Sequence, residues 1–246
     1  MKTILKIKFD NTFYIFLLLI LLSGMFKPFT FIFILIFFHE LGHAITGIVL
    51  GFKLDKIIIY PYGGLTKFNN LENTSLNKEI IMLLMGPITQ IITYYILNYF
   101  FKYDYLKNYH LSILIFNLLP ILSLDGGRLL NIFFNKIFSY KKSFYLSIFI
   151  SILTIISLII YCLYFYYNIN LLFMSIFLLF KLYISFKNLK YSYQKFLLER
   201  YLYNFSFKKR KVSKSIYDFS KECYHYIDFY EEKDYLNKYF QNKLEK

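Results

Sequence analysis

Residues 28–52 read PFTFIFILIFFHELGHAITGIVLGF, and what these 25 residues can fold into decides the kind of protein this is. An uncharged run from Pro28 to Phe38 breaks into His39-Glu40-Leu41-Gly42-His43 and then resumes its apolar course to Phe52. More than about 18 apolar residues in a row is enough to cross a bilayer as a helix. An acid at the centre of such a helix costs about 2.5–3.5 kcal/mol on insertion scales, so it faces a cavity and has partners. On a helix, positions i and i+4 share a face. The two imidazoles can therefore meet one metal ion while Glu40 stands beside the water on it. With 4 His and 8 Glu in 246 residues, this H-E-x-x-H pattern would arise by chance with a probability of about 0.2%.

The surrounding chain is built for the same environment. It is 57% apolar and 23% aromatic, without a tryptophan, yet carries 29 Lys and Arg against 15 acids. A water-soluble domain is about 45–50% apolar and spreads its charges, whereas Ser143–Phe180 runs 38 residues without one Asp, Glu, Lys, Arg or His. Ordinary soluble folds are excluded. The charge breaks define six spans, at about Asn11–Phe26, Pro28–Leu50, Ile80–Phe101, Leu111–Leu124, Phe144–Tyr167 and Leu171–Phe186. Asn168-Ile169-Asn170 turns the chain between the last two. The first span reads as retained, because Lys2, Lys6 and Lys8 precede it without a small-x-small cleavage site after it.

The expected fold class is an all-α polytopic membrane protein with about six transmembrane helices. Positive charge gathers on the cytoplasmic side of short loops, and only Lys27, Lys102 and Lys107 fall on the outer connections when the N-terminus is inside. Both termini are thus expected in the cytoplasm. LDKIIIYPYGGLTKF, residues 54–68, departs from helical text: its β-branched run, Pro61 and Gly63-Gly64 predict a membrane-associated β-hairpin. From Lys187 the chain carries 14 Lys and Arg against 8 acids. The expected division is a six-span domain, 1–189, and a small basic cytoplasmic tail, 190–246, with Tyr193–Tyr203 as an amphipathic helix on an anionic lipid face. Cys162 and Cys223 have neither disulfide nor metal-ligand spacing.

A tetrahedral catalytic zinc site takes three protein ligands and leaves a fourth position for water. The candidate third ligand is Asp125, the only acid between Asp104 and Glu199, where Asp125-Gly126-Gly127-Arg128 forms a flexible break. A loop aspartate capping a helix that starts near Arg128 is the alternative. His110, at the lip of the fourth span in an outer loop, and His225, between Tyr224 and Tyr226, read as solvated or packed residues.

The stretch Asn117-Leu118-Leu119-Pro120-Ile121-Leu122-Ser123-Leu124-Asp125-Gly126-Gly127 resembles the N-x-x-P-x-x-x-x-D-G-G signature of the site-2 proteases, a family of intramembrane zinc metalloproteases. H-E-x-x-H lies about 80 residues upstream, and Gly86-Pro87 in the third span also fits. The six spans and tail look most similar to the sporulation branch of that family. The resemblance implies one zinc ion held by His39, His43 and Asp125, with Glu40 as catalytic base and Asn117 positioning substrate. It implies a membrane-tethered protein substrate such as a sigma-factor precursor, inhibitory membrane partners, and the residue 60–68 hairpin as a re-entrant loop beside the substrate. A membrane metal transporter using the same His, Glu and Asp residues is the competing function, although it gives no reason for the Asn117/Pro120/Asp125 spacing. Nucleic acid is not an expected partner, because Lys208-Lys209-Arg210-Lys211 beside a span suits anionic lipid better.

Overall fold

The computed structural model describes residues 6–60, 63–69, 72–164, 169–227 and 230–244, which divide into two compact units. The first unit holds residues 6–69 and 78–117. It opens with strand β1 (Ile7–Phe9) and helix α1 (Asn11–Ser23), where Asp10 Oδ1 accepts a hydrogen bond from Thr12 N at 3.0 Å and caps the helix. Gly24, at φ +70°, supplies the left-handed residue that ends α1. Helix α2 (Phe26–Val49) carries the H-E-x-x-H text, and strands β2 (Leu54–Tyr60) and β3 (Gly63–Phe68) follow. Helices α3 (Leu76–Phe101) and α4 (Asp104–Leu118) complete it, the first residues of α3 lying in the second unit.

The predicted hairpin is present. Strands β2 and β3 pair antiparallel with Ile57 opposite Thr66 and Ile59 opposite Gly64, while the predicted turn at Pro61 lies outside the described residues. No local pattern signalled that β1 pairs parallel to β2 and makes the sheet order β1-β2-β3. Residue alternation turns Ile57 and Ile59 inward, where they are buried with Ala44 of α2 and Phe13 of α1. That contact seats the sheet on α2, the helix that carries the H-E-x-x-H text.

The second unit contains residues 72–77 and 118–244. Its elements are α5 (Asp125–Ile137), α6 (Tyr140–Tyr164), α7 (Ile169–Leu202), β4 (Lys209–Val212), a 3-10 turn at Ile216–Asp218, β5 (Cys223–Ile227), β6 (Tyr230–Glu231) and α8 (Glu232–Leu244). Strands β4, β5 and β6 form a second sheet in that order.

Among the described residues four helices, α2, α3, α6 and α7, are long and apolar enough to cross a membrane, and the protein is multi-pass. The first and fourth expected spans are shorter helices of 13 and 15 residues. At about 1.5 Å per residue they reach roughly 20–22 Å, below the ~30 Å hydrocarbon thickness. The fourth also sits earlier than its hydropathy suggests. It ends at Leu118 because Pro120 cannot continue a helix, and it starts at Asp104, which places His110 inside it rather than in a loop. Of the turn expected at 168–170, residue 168 lies outside the described residues and Ile169 already begins α7.

The segment after position 189 also differs from its expectation. Helix α7 runs without interruption through the boundary drawn there, and Tyr193–Tyr203 does not lie as a solvated surface helix. Tyr193, Phe196 and Leu197 are buried with Ile216, Phe219, Ile227 and Leu236 in a core of their own. Arg200 is also buried: Nη1 donates to Glu232 Oε1 at 2.8 Å, Nη2 to Ser220 O at 2.7 Å and Nε to Asn73 Oδ1 at 2.7 Å. His225 N donates to Glu232 Oε2 at 2.9 Å. Net charge concealed this, because pairing depends on which of the tail's charges meet.

The network sets a pH dependence. Burial pushes the His225 imidazole below its ordinary pKa of 6.5, and the nearby Arg200 charge adds to this against the hydrogen bond that the ring donates to Glu232. Burial would raise the Glu232 carboxyl, but the His225 hydrogen bond and the Arg200 charge more than offset it and hold it below 4.5. In both cases the unfolded chain binds the proton more readily, so stability falls as pH drops. The melting temperature of the second unit, followed by hydrogen exchange at 216–227, should decline from pH 7.5 to 5.5 and again below 4.5. Glu232→Ala leaves the Arg200 guanidinium buried without its carboxylate and should cost about 3–5 kcal/mol in the same measurement.

Candidate metal centre

Helix α2 buries His39, Glu40 and His43 together. The neighbours of the two rings fix their tautomers. His43 Nδ1 lies 2.9 Å from Met82 O, a carbonyl that can only accept, so Nδ1 carries the proton. Gln90 Nε2 donates to His110 O at 3.1 Å, which turns Gln90 Oε1 toward His39 Nδ1 at 3.1 Å, and that nitrogen is protonated too. Each Nε2 then presents a lone pair, and the two atoms are 3.1 Å apart. Two imidazoles so placed can offer both Nε2 lone pairs to one metal ion, and the outer hydrogen bonds that orient both rings are the support a metal-ligating histidine has.

Glu40 is held by the hairpin. Its Oε2 accepts a hydrogen bond from Thr66 Oγ1 at 2.7 Å, and Gly64 lies so close that a Cβ added there would stand 2.1 Å from Glu40 Cγ. Strand β3 thus covers and orients the carboxylate. A glycine is also required where α3 passes His43: a Cβ on Gly86 would come within 2.2 Å of His43 Nε2. The Gly86-Pro87 pair lies inside α3, where the proline removes one helical hydrogen-bond donor.

In the second unit, Asp125 opens α5 after an extended Leu124. The preceding loop is tied to α6 by Leu122 N, which donates to Ser151 Oγ at 2.9 Å. Gly126 and Gly127 are helical and tightly packed rather than a flexible break. A Cβ on Gly126 would lie 2.1 Å from Leu118 O, and one on Gly127 2.1 Å from Ile121 O. The glycines let the first turn of α5 settle against the loop, and this sets where Asp125 projects from. His39, His43 and Asp125 form a group positioned to bind one metal ion, each offering one ligand atom, with these atoms within 4.8 Å of one another. Two imidazoles and one carboxylate make up a donor set typical of catalytic zinc, with a fourth position left for water. Asn117 is half-buried in the last turn of α4.

Sequence reading missed Gln90, Thr66 and Gly64. Gln90 is fully buried, and an uncharged polar residue within an apolar span was signal enough to mark it. Thr66 and Gly64 carried no such signal, since their role depends on which strand lies over Glu40. The other two histidines, expected to be solvated or packed, are both packed. His110 stacks on Tyr94 at 4.4 Å, and His225 lies buried in β5.

Residues 28–109 match the model of Peptidase family M50. The chain is 28% identical over 207 residues to stage IV sporulation protein FB of Bacillus subtilis, covering 80% of this chain and 72% of that protein. It is 31% identical over 126 residues to zinc metalloprotease MJ0392 of Methanocaldococcus jannaschii, covering 47% of this chain and 36% of that one. Among solved structures, the site-2 protease from Methanocaldococcus jannaschii superposes with a TM-score of 0.55 at 26% identity, over 72% of this chain and 88% of its own.

Two substitutions test the geometry. Gly86→Val should displace the His43 ring and lower bound metal well below one ion per chain, measured by elemental analysis of the folded protein. Thr66→Val should retain the metal and lower turnover about tenfold or more, because one hydrogen bond to a charged group is worth about 1.5–3 kcal/mol.

Proposed function

We propose that this chain, an intramembrane zinc metalloprotease with an M50 peptidase domain at 28–109, cleaves a membrane-tethered regulatory protein, such as a sigma-factor precursor, and releases its soluble part into the cytoplasm. In this reading His39, His43 and Asp125 hold one zinc ion, Glu40 is the general base and Asn117 positions substrate. One observation carries it: two imidazoles with locked tautomers converge across 3.1 Å beside a carboxylate that a separate strand holds in place.

When bound, zinc lowers the pKa of its water toward 7 and polarises the scissile carbonyl. The chain does the rest. Glu40 takes the proton of the attacking water and returns it to the leaving amine, while Thr66 keeps one carboxylate oxygen fixed so that the other serves as the proton-carrying atom. Gln90 and Met82 O hold the imidazole rings against rotation. Asn117 donates its amide to the substrate backbone or to the developing oxyanion.

A transmembrane substrate arrives as a helix and has to be extended before its backbone can be attacked. The sheet order leaves β3 at an edge, and β3 is the strand that covers Glu40. Pairing of substrate with that edge would unwind it and carry the scissile bond past the base. In the same reading α1 and α4 complete six spans and both termini are cytoplasmic. Membrane proteins that restrain access to the β3 edge are the expected inhibitory partners.

The test is reconstitution in liposomes with a tethered precursor and mass spectrometry of the released fragment. Glu40→Gln should retain one zinc per chain and slow cleavage by about 10²–10⁴-fold, the usual contribution of a general base. Cleavage by Glu40→Gln at the wild-type rate would remove Glu40 from the mechanism.

A further inference from the structure

A second site lies in the C-terminal part of the second unit. A cavity of about 390 Å³, within the ordinary range for a small-molecule site, opens between the end of α5, the segment at Leu76-Asn77 and strands β4 and β5. Four lysines line it, Lys136, Lys209, Lys211 and Lys221, against the single acid Glu222. That acid is already engaged, because its Oε1 accepts a hydrogen bond from Leu76 N at 2.9 Å.

The lysines converge because of backbone register. Lys209 and Lys211 are two apart on β4, so strand alternation turns both to one face, while Arg210 and Val212 turn to the other. Like charges at that spacing repel, and a bound anion relieves the repulsion. Two further atoms call for a ligand independently of charge. Ser220 and Asn135, 6% and 4% exposed, both line the cavity, and Ser220 Oγ and Asn135 Oδ1 have no hydrogen-bond partner among the described residues. A buried polar atom left so costs about 1–3 kcal/mol. Asn135 Nδ2 donates to Asn131, so its orphan is fixed as an acceptor.

An anion with several acceptor oxygens satisfies the lysines and the Ser220 hydroxyl together. We propose that this cavity binds a phosphate group of the phosphomonoester or pyrophosphate class. Its oxygens accept from the lysine ammonium groups and from the Ser220 hydroxyl. Asn135 Oδ1 accepts from a water bound beside the anion. Asn135 lies ten residues along α5 from Asp125, about 15 Å of helix, so this site is distinct from the metal ligand at the other end.

Binding can be read without proteolysis. The probe is inorganic pyrophosphate, titrated calorimetrically into the full chain in phosphatidylcholine nanodiscs at pH 7. The expected result is saturable binding at one site per chain, weakened tenfold or more by the Lys209→Gln/Lys211→Gln pair and by Ser220→Ala. Lys208→Gln/Lys214→Gln, which removes equal charge outside the cavity, should leave binding within about twofold. Absence of saturable binding, equal losses in the two lysine pairs, or an unaffected Ser220→Ala would each overturn the assignment, provided that the variants melt with the wild type. Repeating the titration in nanodiscs containing phosphatidic acid identifies the source. Competition by the lipid assigns the cavity to a headgroup, and undiminished pyrophosphate binding assigns it to a soluble phosphorylated compound.

Discussion

Everything in the first unit follows from two imidazole lone pairs held 3.1 Å apart in a helix long and apolar enough to cross a membrane. Each ring is anchored at its other nitrogen by an oxygen that accepts its hydrogen bond, Gln90 Oε1 for His39 and Met82 O for His43. The anchors come from α3, which reaches α2 closely because Gly86 has no side chain to collide with His43.

The small sheet has its place in the same logic. Strands are rare partners for membrane helices, since an open sheet edge leaves backbone groups that hydrocarbon cannot satisfy. Here the sheet buries Ile57 and Ile59 against α2 and α1, and its third strand orients Glu40 through Thr66. An edge left unpaired in that position is a liability for stability and an opportunity for binding an extended substrate. The second unit solves a different problem. It ties the loop before Asp125 to α6 through Ser151, and it encloses a charged tail around an aromatic core, where Arg200, Glu232 and His225 satisfy one another.

Much of the site was legible residue by residue. His39, Glu40 and His43 stood out because ionisable groups in an apolar run have few reasons to be there, and Asp125 because no other acid lies near it in the sequence. The hairpin was legible from β-branched residues flanking Pro61 and the Gly63-Gly64 pair. Hydropathy misjudged what it cannot measure. It extended the fourth span past Pro120, and it treated residues after Lys187 as solvated because their charges were counted without their partners. Gln90 was overlooked although its setting in α3 was as unusual as that of the histidines.

The sequence alone determined the environment and the chemistry: apolar run lengths require a bilayer, and an i, i+4 pair of histidines with an adjacent glutamate requires one helix face. Both are local properties, set by helical periodicity and transfer free energy within a single segment. Only the tertiary structure decided which nitrogen of each ring faces the metal position, which strand holds Glu40, why Gly64, Gly86, Gly126 and Gly127 are glycines, and that four distant lysines share a cavity. Those depend on contacts between residues far apart in the chain, and no pattern in the intervening sequence encodes which partners will meet.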